Sequence, residues 1–347
     1  MKIEKKIKII GIIVLFLFLF LLGLSAAYLL HRAVFSNNIA AQASTCIYIR
    51  TGASYDDVML ILENEHVLKD KKSFEQIAKI KRYPNRIRAG KYRIDLKMSN
   101  NELINRLRSG NQEAVDFKFN NIRTKEQFAK RVAEQLEMTE AELLDLLNDD
   151  SFLNAYNLNQ ETVLTIFIPN TYKIWWNTSA KDFFKKMRGE YEKFWTEERK
   201  AKAAKIPLTP TETIILASIV EEENHLRDEQ ARIAGVYINR LKIGMPLQAD
   251  PTVKFACGDF TLKRILNHHI AVNSPYNTYQ IAGLPPGPIR IPTPSCVDEV
   301  LNYEKHNYLY MCAKEDFSGY HNFAITLSEH KINATKYRNT LNKNRIK

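Results

Sequence analysis

The sequence predicts an α+β protein in which an apolar N-terminal helix precedes a small mixed module and a larger mixed domain. Residues 9–30 contain no charged side chain, whereas the rest of the chain alternates short strand-like segments with helical periodicity and capping signals. With 347 residues, the chain is long enough for two domains besides the apolar segment. The predicted divisions are a tail at 1–8, a transmembrane helix at 9–30, a linker at 31–43, a first module at 44–111 and a second domain at 112–347.

The apolar segment is long enough to cross a membrane as one helix. At 1.5 Å per residue, residues 9–30 reach about 33 Å, and the hydrocarbon core of a bilayer is roughly 30 Å thick. Lysines crowd the first eight residues, and only His31 and Arg32 follow the run closely. This asymmetry predicts a single-pass inner-membrane protein with a cytoplasmic N-terminus and its remaining chain in the periplasm. A cleaved signal peptide is the alternative, but its apolar core is usually only about 7–15 residues long.

The first module is predicted to contain two strands and three helices. Ser54 and Ser99 each stand three residues before an acidic residue, so each caps the start of a helix. Gly110 ends the last of these helices. The two strand-like segments are 46–49 and 88–94, and a further helix passes through Phe74.

Residues 113–205 continue with helical periodicity. Thr124 and Thr139 mark the starts of two helices. Tyr172, Trp175 and Trp176 follow in an aromatic segment that can either stack on sugar rings or belong to a core.

One helix of the second domain ends in three successive carboxylates. Thr209-Pro210-Thr211-Glu212 is a capping box with proline in the first turn, so the helix begins there. The residues that follow are apolar around the whole axis, which predicts a helix buried on nearly all sides. Apolar surroundings raise the pKa of a carboxyl group, so that it can act as a general acid near neutral pH.

The helical repeat favours Glu221 among the three glutamates. At about 100° per residue, Glu221 lies beside Ala217 and Ser218, whose small side chains leave room for a ligand. Glu222 and Glu223 have larger neighbours. The alternative is a solvated helix end without function, although negative charge is mildly unfavourable at that end of the helix dipole.

Further motifs follow in order. Residues 217–223 read ASIVEEE, 239–252 read NRLKIGMPLQADPT, 276–279 read YNTY, 283–289 read GLPPGPI and 319–323 read GYHNF. Together these motifs resemble the YceG-like family of endolytic murein transglycosylases, over a region from about residue 44 to the C-terminus. The chain departs from the family at 290–293, where Arg-Ile-Pro-Thr replaces the usual Asn-Pro-Gly turn.

The resemblance implies a LysM-like, glycan-binding module at 44–111 and a YceG-like catalytic domain at 112–347. It implies a membrane-anchored lytic transglycosylase that cleaves MurNAc–GlcNAc linkages within peptidoglycan strands and terminates nascent strands. In this chemistry one carboxyl group protonates the glycosidic oxygen and then deprotonates the muramic C6 hydroxyl. That hydroxyl closes on C1 and leaves a 1,6-anhydroMurNAc end. The resemblance assigns both roles to Glu221.

The resemblance also indicates groups that line the cleft. Gln248 and Asn277 would position the substrate or stabilise positive charge on the sugar ring, with a purely structural role in turns as the alternative for both. Asp250 either supports its turn or contacts sugar. Tyr279 and His321 are further candidates for substrate binding.

Composition limits the partners and cofactors. A net charge of +11 favours acidic partners such as anionic wall polymers or lipid headgroups. An outward-facing anchor and the lack of a nucleic-acid-binding motif argue against nucleic acid. The four cysteines have no metal-ligand spacing, so we expect no metal and no cofactor, and the cysteines are either paired or free thiols. The expected partners are glycan strands, the membrane and peptidoglycan synthases.

Two other functions stay open at this level. A hydrolase of the same polymer would use Asp250 to activate water, because ordinary glycosidases use two carboxyl groups. A non-catalytic scaffold would bind the wall through the first module alone, but it would have no need of the acid on the helix.

Overall fold

The structure is a computed structural model that describes residues 1–40, 43–206, 208–262 and 264–344. Helices alternate with short two-stranded sheets, so the fold is mixed α+β, as the sequence predicts. Two units are formed. One comprises Met1–Val115 and Lys173–Asn177, and the other comprises Asp116–Tyr172 and Thr178–Lys347.

The N-terminal helix α1 is Lys2–Phe35. An 18-residue stretch of it has a mean hydropathy of 3.0, so the helix is long and apolar enough to cross a membrane. Its large apolar side chains are exposed over this stretch, which fits an apolar surrounding rather than water. The helix continues beyond the predicted end at Leu30. Its last turn packs Ala33 and Val34 against the core of the first unit.

The first unit has the predicted order of strand, two helices, strand and helix. These elements are β1 (Thr45–Ile49), α2 (Tyr55–Asn64), α3 (Lys71–Ile80), β2 (Gly90–Ile94) and α4 (Asn100–Ser109). Strands β1 and β2 pair antiparallel, with Ile47 opposite Tyr92. Both side chains point into an apolar core, together with Phe74 from α3. Ser54 and Ser99 form capping boxes, and Gly110 ends α4 with a φ of 74°, as predicted.

The segment between α1 and β1 is fixed to the first unit over most of its described length. Residues 41 and 42 of the predicted linker lie outside the described residues. Asn37 forms an isolated β-bridge with Ser99, and Ile39 forms one with Leu68. Ile39 is 3% exposed and belongs to the core, so this segment contributes packing.

The second unit contains eleven helices among the described residues. They are α5 (Lys125–Ala133), α6 (Glu140–Leu147), α7 (Asp150–Asn154), α8 (Ala180–Phe194), α9 (Glu197–Lys205), α10 (Pro210–Glu223), α11 (Arg227–Lys242), α12 (Asp250–Cys257), α13 (Asn267–Ile270), α14 (Pro294–Leu301) and α15 (Leu327–Lys343). Strands β3 (Val115–Lys118) and β4 (Thr171–Ile174) form one sheet, and β5 (Tyr310–Ala313) and β6 (His321–Ala324) form another.

Aromatic rings dominate one part of the core of the second unit. Phe128 packs on Phe119, Phe167 and Phe183, with ring centroids 4.2 to 6.1 Å apart. Tyr172 is also buried and donates its hydroxyl to the carbonyl of Ile168. This aromatic ring therefore belongs to the core and is not placed to stack on a sugar.

Helix α10 lies at the centre of the second unit, in contact with α9, α11, α12 and α14. It begins at the predicted capping box of Thr209 and Glu212, and its residues from Thr213 to Glu221 are all buried. The prediction of a buried helix is confirmed. The 283–289 segment reaches it through a hydrogen bond from Ile289 N to Ser218 Oγ (3.0 Å). Gly287 fits there because a Cβ atom would overlap the carbonyl of Glu161.

Candidate active site

The three glutamates that end α10 have different surroundings. Glu221 is 6% exposed, and its Oε2 accepts a hydrogen bond from Thr293 N at 2.6 Å. Thr293 is the N-cap of α14, so this carboxylate lies at the positive end of a helix dipole. Arg290 Nη2 lies 3.8 Å from the other oxygen. The hydrogen bond from Thr293 joins α10 to α14.

The space predicted beside Glu221 is filled by protein. Ser218 Oγ accepts the hydrogen bond from Ile289 N, and Cys296 Sγ donates to the carbonyl of Ala217 (3.4 Å). The small side chains on this face therefore allow close packing of the chain from 289 to 296. Cys296 is buried, and all four cysteines are free thiols.

Glu222 bridges two arginines. Arg123 Nη2 lies 2.8 Å from its Oε1, and Arg290 Nη1 lies 2.9 Å from the same atom. Arg290 is only 6% exposed. The residue at which this chain departs from the family motif is thus the buried cation that neutralises both Glu221 and Glu222.

Glu223 differs from both neighbours because none of the arginines that the structure describes forms an ion pair with it. Tyr237 donates its hydroxyl to Glu223 Oε2 (3.2 Å), and His321 Nε2 lies 3.8 Å from Oε1. Burial raises the pKa of Glu223, and nearby Asp250 raises it further, while His321, Tyr237 and Lys254 oppose the shift. The side chain keeps 17% of its surface exposed, so the carboxyl group can still meet a ligand.

His321 is held by a second, buried carboxylate. Its Nδ1 lies 2.8 Å from Glu229 Oε2, and its backbone N–H donates to Glu229 Oε1 (3.0 Å). Asn224 donates its amide to Glu229 and to the carbonyl of Gly319. Glu229 was not predicted, because an acid in the first turn of a helix usually indicates only a favourable dipole contact. The structure thus brings Glu223, His321 and Glu229 together.

Asp250 and Tyr279 form a second pair beside this group. Tyr279 donates its hydroxyl to Asp250 Oδ1 (2.6 Å). Desolvation raises the pKa of Asp250, while this hydrogen bond and the charge of Lys254 lower it. Desolvation raises the pKa of Tyr279, and the charge of Asp250 and the hydrogen bond to it raise that pKa further. Asp250 as a residue is exposed to solvent.

Gln248 and Asn277 occupy the loops behind Asp250. Asn277 is fully buried, and its amide donates to the carbonyls of Ile270 and Val272 (2.8 Å each). Its Oδ1 accepts from Tyr279 N (3.1 Å), so this side chain shapes the turn that carries Tyr279. The geometry favours the structural alternative for Asn277. Gln248 has a φ of 47° and an exposed side chain, so its amide is available to a ligand.

Comparisons with known proteins identify the family of this chain. The model of the YceG-like family matches residues 47–336. A Bacillus subtilis protein named endolytic murein transglycosylase is 31% identical over 312 residues, which cover 84% of each chain. A Streptococcus pneumoniae protein of the same name is 26% identical over 295 residues, covering 76% of this chain and 53% of the relative.

A solved structure is also similar. The crystal structure of a YceG-like protein from Listeria monocytogenes superimposes with a TM-score of 0.55 and 26% identity. The match covers 84% of this chain and 99% of the other. The chain belongs to the YceG-like family, and the resemblance drawn from its motifs is confirmed.

Proposed function

We propose that this member of the YceG-like family is a membrane-anchored lytic transglycosylase with Glu223 as its acid. It cleaves MurNAc–GlcNAc linkages within peptidoglycan strands and leaves 1,6-anhydroMurNAc ends. The observation that carries the proposal is the position of Glu223, which ends the buried helix α10 with 17% of its side chain exposed, beside the Tyr237 hydroxyl and the His321 ring and without an arginine partner among the described residues. The names of the relatives support the same reaction class.

The reaction needs one carboxyl group that changes its protonation state twice. Protonated Glu223 gives its proton to the glycosidic oxygen as the bond from C1 to that oxygen breaks. The resulting carboxylate then removes the proton of the C6 hydroxyl, and the C6 oxygen bonds to C1. The proton returns to Glu223 and no water is consumed. A pKa raised by burial keeps the acid form populated closer to neutral pH.

The surrounding groups suit both forms of Glu223. The Tyr237 hydroxyl donates to the carboxylate that remains after proton transfer, and His321 and Lys254 supply positive character nearby. Asp250 contributes negative charge on the same side, which favours the positive charge that develops on the sugar ring. The exposed amide of Gln248 would hold the substrate, and Tyr279 would orient Asp250.

Glu221 stays a prediction for the acid, but its geometry is less suitable. Its Oε2 accepts the N–H of Thr293 and its Oε1 lies 3.8 Å from Arg290 Nη2, so both oxygens already have partners within the protein. A general acid must instead present its carboxyl group to the oxygen of the bond that it cleaves. Glu222, between two arginines, is less suitable for the same reason.

A peptidoglycan hydrolase is the second candidate, favoured by the electrostatic coupling between Asp250 and Glu223. In that reaction Asp250 activates a water molecule and Glu223 protonates the leaving group. The two reactions give different products. Cleavage of purified glycan by the full chain in detergent, followed by mass spectrometry, would yield anhydro ends lighter by one water for the transglycosylase and reducing ends for the hydrolase.

The membrane anchor and the first module complete the proposal. We assign the N-terminus to the cytoplasm and the chain after α1 to the periplasmic side of the inner membrane, because the lysines precede the span. The strand and helix order of the first module supports a LysM-like fold that binds glycan. Peptidoglycan synthases are the partners that would supply nascent strands for termination. Reporter fusions at the C-terminus test the topology, and activity of a cytoplasm-specific reporter would contradict it.

A further inference from the structure

A pocket of about 610 Å³ lies where α1 meets the first module. Its volume is within the range of small-molecule sites, roughly 300–1,000 Å³. Leu29, Arg32 and Ser36 contribute from the end of α1, and Lys69 and Lys72 contribute from the start of α3. One apolar edge from the membrane helix and three cations therefore surround the same space.

A buried network of amides fixes the walls of this pocket. Asn38 donates to Asn100 Oδ1 (2.8 Å), and Asn100 donates to the carbonyl of Ala33 and to Ser73 Oγ (2.9 Å each). The N–H of Asp70 donates to Asn38 Oδ1 (2.7 Å). Asn38 and Asn100 are 6% and 1% exposed, so the network is shielded from water. It fastens the end of α1 to the starts of α3 and α4, and so positions the cations.

The described residues that line the pocket carry more positive than negative charge. Arg32, Lys69 and Lys72 are exposed, and none of them forms an ion pair with another described residue. Their neighbour Lys71, in contrast, is paired with Glu63 at 2.9 Å. The acid at the pocket, Asp70, uses Oδ1 to accept the N–H of Ser73 and cap α3.

We propose that this pocket binds the headgroup of one anionic phospholipid. The inference rests on the proposed insertion of α1 in a membrane, which places the end of this helix at the headgroup level. Arg32 would contact the phosphate with its planar guanidinium, and Lys69 and Lys72 would add point charges. Leu29, about one turn before Arg32, faces the side from which the acyl chains arrive. The bound lipid holds the first module against the membrane surface.

The test uses the full chain, delipidated in a neutral detergent and titrated with phosphatidylglycerol or phosphatidylcholine under native mass spectrometry. We expect one phosphatidylglycerol to be retained in preference to phosphatidylcholine. Arg32→Gln/Lys69→Gln/Lys72→Gln should weaken its binding on the order of 100-fold, at about fivefold per cation. The matched variant Lys79→Gln/Arg82→Gln/Lys97→Gln removes the same charge elsewhere in the module and should change binding by less than about threefold.

Two results would contradict the proposed lipid site. Equal weakening by both triple variants would mean diffuse attraction to the module, and equal retention of phosphatidylcholine would mean a merely apolar crevice. Lys69→Arg/Lys72→Arg keeps the charge and should keep the binding. Alkaline extraction of membranes reports on the anchor alone. If the chain resists extraction but shows no preference for phosphatidylglycerol that depends on the pocket residues, the membrane anchor is supported and the lipid site is contradicted.

Discussion

His321 Nε2 lies 3.8 Å from Glu223 Oε1, and the opposite nitrogen of the same ring lies 2.8 Å from Glu229. The ring is thus positioned by one carboxylate and directed at another. Glu229 is 3% exposed and also accepts the backbone N–H of His321, so the orientation of the ring is fixed from behind. Residues from α10, α11 and β6 therefore lie together around the carboxyl group of Glu223.

Glu223→Gln should lower the rate of glycan cleavage by about 100- to 10,000-fold, the usual contribution of a general acid. The change keeps the size of the side chain and an oxygen that can accept from Tyr237, but it removes the transferable proton. Cleavage of purified glycan by the full chain in detergent measures the effect, and circular dichroism checks the fold.

Glu221→Gln and Glu222→Gln serve as matched controls for that variant. Each also replaces a carboxylate at the end of α10, and we expect milder losses of activity from both. Full activity of Glu223→Gln, combined with an inactive but folded Glu221→Gln, would restore Glu221 as the acid.

The course of α10 was predictable because its signals are local. The capping box of Thr209 fixes its start, and the apolar run fixes its burial. Helical spacing could not show which of the three glutamates forms ion pairs with arginines. That spacing gives the neighbours of Glu221 on its own helix, but not the chain from 289 to 296 that fills the space beside Ala217 and Ser218.

For the polar residues of the candidate site, too, the sequence indicated some positions but not their contacts. The motifs indicated His321, and the structure places it beside Glu223. They also indicated Asn277, whose hydrogen bonds stay within its own loop. Glu229 has no distinguishing feature in the sequence, because its partner His321 is far along the chain. Contacts of this kind depend on tertiary packing, which local patterns do not contain.

The stability of the protein should depend on the protonation of Glu223. Because its folded-state pKa is raised, the folded protein favours the protonated form at low pH and loses that stabilisation as pH rises through the folded pKa. Glu223→Gln has no carboxyl group to ionise, so it does not lose stability in this way as pH rises. Its melting temperature should therefore exceed that of the wild type at pH 8 by more than it does at pH 4. Calorimetry at both pH values measures this difference, and a smaller gain at pH 8 would contradict the raised pKa.

His321→Gln should move the alkaline limb of the pH profile of kcat/KM to higher pH. The imidazole lowers the pKa of Glu223, so its removal lets burial raise that pKa further, and the acid form persists to higher pH. Tyr237 from α11, Asp250 and Lys254 from α12 also face Glu223 and remain in place. Lys254→Gln removes a weaker opposing influence and should shift the limb in the same direction by less. A shift to lower pH in either variant would show that another group controls the profile.

Arg290→Met should destabilise the protein by about 3–5 kcal/mol, because it leaves the buried carboxylate of Glu221 without its cation. Glu222 retains Arg123, whereas Glu221 retains, among the described residues, the N–H of Thr293. The double variant Glu221→Gln/Arg290→Met should recover part of this loss, since it removes the uncompensated charge. Urea unfolding of the single and double variants measures the coupling, and strictly additive effects would argue against the pair.

Asp250→Asn separates the two candidate reactions. In a transglycosylase, the substrate's own C6 hydroxyl attacks C1, so Asp250 contributes charge but no water. The variant should then be slower by about 10- to 100-fold and still yield only anhydro ends. In a hydrolase, Asp250 activates the water, and its loss should abolish the reducing ends that dominate the wild-type products.

Tyr279→Phe is the matched control, because it removes the 2.6 Å hydrogen bond to Asp250 and keeps the carboxyl group. Its product masses should match those of the wild type. Reducing ends that dominate the wild-type products and are lost in Asp250→Asn but kept in Tyr279→Phe would favour the hydrolase.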